Sequence, residues 1–233
     1  MTNDLLYQVA LTLVPNIGDV HAKALINIFG DAQSIFKAKK KDLEIIEGIG
    51  TVRAKSIKEF TDFSSSETEI KFIEKFKIAP LFITDDNYPR RLLNCYDSPA
   101  LLYYRGNADL NTARVISVVG TRNNSDYGKL VCEKFIEGLQ SENILVVSGL
   151  AFGIDTIAHK TALKNNLLTV AVLAHGLDRI YPQQNKTLAK EITAQGGLLT
   201  DFISNTNPDK QNFPKRNRIV AGMCDAVVVI ESG

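Results

Sequence analysis

The residues best suited to chemistry lie in the second half of the chain. Lys210, Lys215, Arg216 and Arg218 fall within nine positions, Lys210-Gln-Asn-Phe-Pro-Lys-Arg-Asn-Arg218. Pro214 suits the first turn of a helix, where a missing N–H is tolerated. The cations therefore sit near a helix N-terminus, which itself favours an anion. Phe213 stands among them. Cations beside a ring suit a single strand of nucleic acid, the charges following phosphates while the ring stacks on a base. A further cation, Arg122, closes Val118-Val-Gly-Thr-Arg122, in which Gly120 and Thr121 form a tight turn and the guanidinium stays charged. In Ser148-Gly-Leu-Ala-Phe-Gly-Ile-Asp155, Gly149 and Gly153 separate an apolar run from a helix. Backbone N–H groups in such a turn come close to an anion, and Ser148 adds a hydroxyl. Asp155, early in that helix, suits its positive end. The chemistry expected of these turns is the holding of phosphates.

Other chemistries fit poorly. A dinucleotide fingerprint needs G-x-G-x-x-G after the strand, and the turn at Gly120 lacks the second glycine, so NAD and FAD are disfavoured. No Walker lysine follows Gly153. No G-x-S-x-G surrounds Ser148, so a triad with His159 or His175 is not expected, and His175 reads as a structural hydrogen-bond partner. Cys95, Cys132 and Cys224 are far apart without metal-ligand spacing, as for reduced thiols in a cytoplasmic protein. The expectation is no catalytic residue, no metal and no cofactor. No run approaches the ~20 apolar residues of a membrane helix, and the N-terminus makes a poor signal peptide. Net charge is only +1, below that of many duplex-DNA binders, so the local patch must supply the attraction.

The elements that would position these turns follow from periodicity. Short β-branched runs at 115–119, 144–147, 168–174, 197–200 and 226–230 alternate with helical stretches at 130–139 and 154–163. Strands this apolar are buried on both faces, so the pattern implies an α/β fold with a doubly wound, mostly parallel sheet. Two further strands, Leu81–Thr84 and Leu101–Tyr104, precede it, and a helix is expected over about Glu67–Lys77. The first ~60 residues read as short helices. Here Val14-Pro-Asn-Ile-Gly-Asp-Val-His-Ala-Lys-Ala-Leu-Ile26 and Ile46-Glu-Gly-Ile-Gly-Thr-Val-Arg-Ala-Lys-Ser-Ile57 repeat one pattern that resembles the helix-hairpin-helix motif. Such turns can offer backbone N–H groups to DNA, or serve a partner. With Phe60–Ser66 as a polar linker, the domains are a small all-helical one at 1–65 and the Rossmann-like one at 66–233. The chain stops at Glu231-Ser-Gly, directly after a strand, where a doubly wound sheet is expected to continue.

Taken together the motifs resemble DNA-processing protein A, the DprA or Smf family. The matching segments are 118–122, 148–155, Ala171-Val-Leu-Ala-His-Gly-Leu-Asp-Arg-Ile-Tyr-Pro182 and Phe213-Pro-Lys-Arg-Asn-Arg-Ile-Val-Ala-Gly222, preceded by Tyr88-Pro89 and Pro99–Asn107. The resemblance implies an extended Rossmann-like fold, single-stranded DNA binding without chemistry, homodimerisation of the full-length protein, and delivery of strands to RecA recombinase in natural transformation. It places Arg122, Lys210 and Phe213 in the DNA pocket, with Arg216 and Arg218 beside them. An alternative is a LOG-type nucleotide phosphoribohydrolase, but its P-G-G-x-G-T-x-x-E motif does not occur. A scaffold acting through its N-terminal helices is the other alternative.

Overall fold

The computed structural model describes residues 3–140 and 142–232. They form two compact units, residues 1–85 with 95–101, and residues 86–94 with 102–233.

The first unit strings together α1 (Asn3–Leu13), α2 (Asp19–Phe29), α3 (Ala32–Lys37), α4 (Lys40–Glu44), α5 (Gly50–Glu59), α6 (Ser64–Phe76) and the strand β1 (Ala79–Phe82). Helices this short hold only through packing. Val9, Ala10, Leu11, Leu25, Ile35, Leu43, Ala54 and Ile57 form their common core. Local signals set the ends: Asp31 caps α3, accepting from the Ser34 N–H at 2.7 Å. That bond and the Ser34 hydroxyl hold the Asp31 carboxyl below its ordinary pKa. The expected linker is not one. Phe60 and Phe63 meet edge to face at 5.5 Å, and Tyr7 and Phe36 join them. Ser64 already opens α6, which packs on α1, so the first unit runs past the boundary expected after residue 65.

The second unit carries β2 (Leu101–Gly106), β3 (Val115–Gly120), α7 (Asp126–Glu137), β4 (Leu145–Ser148), α8 (Ile154–Lys164), β5 (Thr169–Val172), α9 (Lys186–Ala194), β6 (Gly196–Thr200), α10 (Asn212–Gly222) and β7 (Ala226–Ile230). Its strands lie in the order β2-β6-β5-β4-β3-β7. β2 is antiparallel to β6 and the other pairs are parallel. The mostly parallel α/β sheet expected from the apolar runs is thus the fold. β4 and β5 are buried throughout. Val118 and Val146 pack under α7 and α8 with Cys132, Ile136 and Ala158. Ser117, pointing the other way, donates to the Val220 carbonyl of α10. Helices therefore cover both faces. Because β3 to β7 run parallel, the turns after them all open at one edge.

Candidate nucleic-acid interface

The turn after β3 is anchored by its backbone. Thr121 N–H donates to the Glu231 carbonyl at 2.8 Å, and the Thr121 carbonyl accepts from Ile154 N–H at 3.2 Å. Gly120 and Thr121 are half-buried, and Arg122 emerges beyond them, exposed. Its guanidinium lies 5.0 Å over the Phe213 ring, a cation–π contact.

The turn after β4 is shaped from beneath. Gly149 has no room for a side chain: a Cβ would strike Asp155 Oδ2 and lie 2.6 Å from Arg216 Nη2. Asp155 and Arg216 converge there, 7% and 5% exposed. Burial pushes the Asp155 carboxyl up, while the Arg216 guanidinium pulls it back. Asp155 also accepts from Ala151 N–H at 3.2 Å, and Arg216 donates to the Val172 carbonyl at the end of β5. Behind them His159 is fully buried and pushed down to about 4 by desolvation. Its neutral ring accepts from the Thr169 hydroxyl at Nδ1 and donates from Nε2 to the Gly149 carbonyl. Gly153 closes the turn at φ +74, with the Thr121 and Arg122 carbonyls where a Cβ would be. Only glycine fits both that backbone and that space.

The turns after β5 and β6 are laced together. Arg179 pairs with Asp178 at 2.8 Å and donates to Asn207 Oδ1. Asp178 accepts from Asn205 N–H at 2.9 Å. Asn185 reaches the Leu150 carbonyl at 3.0 Å and the Thr156 hydroxyl at 2.9 Å. His175 is 1% exposed. Its Nδ1 donates to the Gly176 carbonyl and its Nε2 accepts from Tyr181 N–H, so it is a structural ring, as expected. Between these turns opens a shallow cavity whose walls include Arg122, Phe152, Tyr181, Phe213 and Arg216.

Four of the expected contact residues are employed inside the protein. Ser148 has no exposed surface and donates its hydroxyl to the Val118 carbonyl at 2.6 Å, tying β4 to β3. The hydroxyl meets that carbonyl and not a histidine. Gly149 is buried over the Asp155–Arg216 pair. Arg216 is a floor residue, not a mobile surface cation. Arg218, half-buried, pairs with Asp201 at 2.8 Å and donates to the Lys215 carbonyl at 3.1 Å. Helix geometry explains this, since Arg216 and Arg218 share α10 with Ile219 and Val220, the residues that pack on the sheet. Lys210 and Lys215 are exposed, and Phe213 is half-buried. Of the cations singled out in these turns, Arg122, Lys210 and Lys215 are the exposed ones. Phe152 and Tyr181 also line the cavity, and neither is among the contact residues expected from the sequence. The legible signal for Phe152 was an aromatic residue directly before a glycine in a turn, with no core face to join.

Over residues 79–233 the chain matches the family DNA recombination-mediator protein A. The chain belongs to that family. Residues 8–70 match the helix-hairpin-helix motif. Protein Smf of Synechocystis sp. is 36% identical across 97% of this chain and 58% of its own length. DNA processing protein DprA of Streptococcus pneumoniae is 45% identical across 68% of this chain and 56% of its own. The chain therefore spans under three fifths of the length of these relatives. The X-ray structure of the pneumococcal DprA superposes with a TM-score of 0.82 at 34% identity, covering 100% of this chain and 78% of that one. DprA from Helicobacter pylori, whose structure is described for its single-stranded DNA binding mode, aligns at a TM-score of 0.59 and 29% identity over 67% of this chain and 70% of its own. The DprA fold thus extends over the whole chain. Among the described residues no helix is long and apolar enough to cross a membrane, and no cluster of three His, Cys, Asp or Glu could hold a metal ion.

Proposed function

We propose that this chain binds single-stranded DNA at the carboxyl edge of its parallel sheet and does so without breaking a bond. The observation that carries the proposal is the exposed Arg122 lying over Phe213 beside a shallow cavity, with Lys210 and Lys215 exposed on the approach to α10. Charge that can follow phosphates next to rings that can meet bases suits a single strand better than a duplex, whose bases are stacked inside. Binding without catalysis is supported by the Ser148 hydroxyl facing a carbonyl and by His159 and His175 holding backbone groups. The single-strand binding named for the H. pylori relative points the same way. In the full-length protein, we propose a cytoplasmic homodimer that protects incoming strands and loads RecA on them during transformation. The family's description as a recombination mediator supports that role.

Fluorescence anisotropy with labelled oligonucleotides tests the binding step. Single strands should bind more tightly than duplex of the same length, and affinity should fall steeply with salt. Equal affinity for duplex, or no dependence on salt, would overturn the proposal.

A further inference from the structure

Two aromatic rings at the cavity stand more open than the one the sequence singled out. Phe152 is 45% exposed and Tyr181 47% exposed, whereas Phe213 is half-buried. The Arg122 guanidinium already covers Phe213, and Tyr181 tilts against it with ring centroids 6.1 Å apart. Phe152 shares the cavity with all three. Large apolar rings left in water beside a charged groove call for an occupant. The loop that carries Phe152 is held at both ends. On one side Ala151 N–H donates to Asp155, and on the other Gly153 lies against the Thr121 and Arg122 carbonyls. The ring is therefore carried by a turn anchored on both sides, and it lines the cavity together with Arg122.

We infer that Phe152, with Tyr181, is a stacking platform for the bases of a bound single strand, an inference that rests on the single-stranded DNA binding proposed above. Its charge complement is in place, since Arg122 beside it can hold the phosphates between stacked bases. Leu150, Ala151, Leu173 and Ala174 line the cavity with apolar side chains, and both ring nitrogens of His175 are engaged. Those groups would meet a base through apolar surface, which leaves the Tyr181 hydroxyl and the Arg122 guanidinium as the side-chain groups at the cavity able to hydrogen-bond a base edge.

The test compares the unaltered chain, Phe152→Leu and Phe152→Trp by anisotropy on an oligothymidylate and on an abasic strand of equal length, which keeps the phosphates and lacks the bases. Phe152→Leu should weaken oligothymidylate binding about tenfold. Phe152→Trp should restore it, and the abasic strand should bind the unaltered chain and Phe152→Leu alike. Equal oligothymidylate affinity for Phe152→Leu and the unaltered chain overturns the platform and leaves single-strand binding standing. An equal loss on the abasic strand also overturns the platform, because the effect then lies outside the bases. Failure of the unaltered chain to bind oligothymidylate overturns both. Because Phe152 is exposed, all three proteins should melt at the same temperature, which separates a binding defect from a folding one.

Discussion

In the first compact unit the basic side chains Lys23, Arg53 and Lys58 turn toward carbonyls of their own backbone. Lys23 Nζ donates to the Cys95 carbonyl at 2.7 Å, and Lys58 Nζ reaches the Phe36 and Ala38 carbonyls at 2.6 and 2.8 Å. Arg53 joins the two glycine hairpins, donating to the Asn16 and Gly48 carbonyls at 3.1 and 3.0 Å. At the carboxyl edge of the second unit, Arg122, Lys210 and Lys215 instead hold their charge at the surface. The contrast shows that counting cations does not locate a phosphate site. A guanidinium or ammonium held by carbonyls is already part of the fold, and its charge is available only where the backbone leaves it none to serve.

Arg216 tests the contrast most severely, because it is a cation of the second unit that, like Lys23, Arg53 and Lys58, donates to a backbone carbonyl. Arg216→Ala leaves Asp155 buried without its countercharge, and should lower unfolding stability by about 3–5 kcal/mol, measured by urea titration. A small loss would mean that Arg216 serves the ligand after all. Removing the exposed cations should do the opposite. Arg122→Ala with Lys210→Ala should leave stability nearly unchanged and weaken oligothymidylate binding roughly 100-fold, or about 3 kcal/mol, with a shallower salt dependence. Unchanged affinity would move the interface elsewhere on the molecule.

Acid should act on the floor of the site. His159 is held neutral, with its pKa near 4 in the folded chain against about 6.5 when unfolded. The unfolded chain therefore takes up the proton first as pH falls, and stability drops. The loss should be about 2 kcal/mol between pH 7 and pH 5, read from urea midpoints. A flat profile over that range would show that His159 is not the buried neutral ring described. The smallest effect belongs to the first unit. Arg53→Ala should cost about 1 kcal/mol of stability through its lost carbonyl bonds and leave single-strand affinity unchanged. A clear fall in affinity would make the helical hairpins a DNA surface and erase the difference between the two units.

Much of this was legible before any coordinates. The strands at 115–119 and 226–230 were visible as β-branched runs, and the structure extends or matches them within a residue. Strands buried on two faces must be apolar throughout, so their signal is strong. The segment 60–66 misled because Ser64, Ser65 and Ser66 look like a linker. What counts there is Phe60 and Phe63 meeting Tyr7 and Phe36 from distant positions. The exposed position of Arg122 was legible because the turn after a parallel strand must face the edge. The Ser148 bond to the Val118 carbonyl was not legible, because one residue decides which way a strand-end side chain faces.

By itself the sequence determined the fold class, the edge of the sheet where a ligand would sit and the family, since these rest on periodicity and on glycines at set positions. Only the tertiary structure decided which cations remain available. Arg216 and Arg122 are the same residue type, yet one is 5% exposed beneath Gly149 and the other is exposed above Phe213. The difference comes from the carboxylate of Asp155, which the turn after β4 folds under the sheet edge to meet Arg216. A buried charge must have such a partner, and partners brought together by folding leave no trace in local spacing.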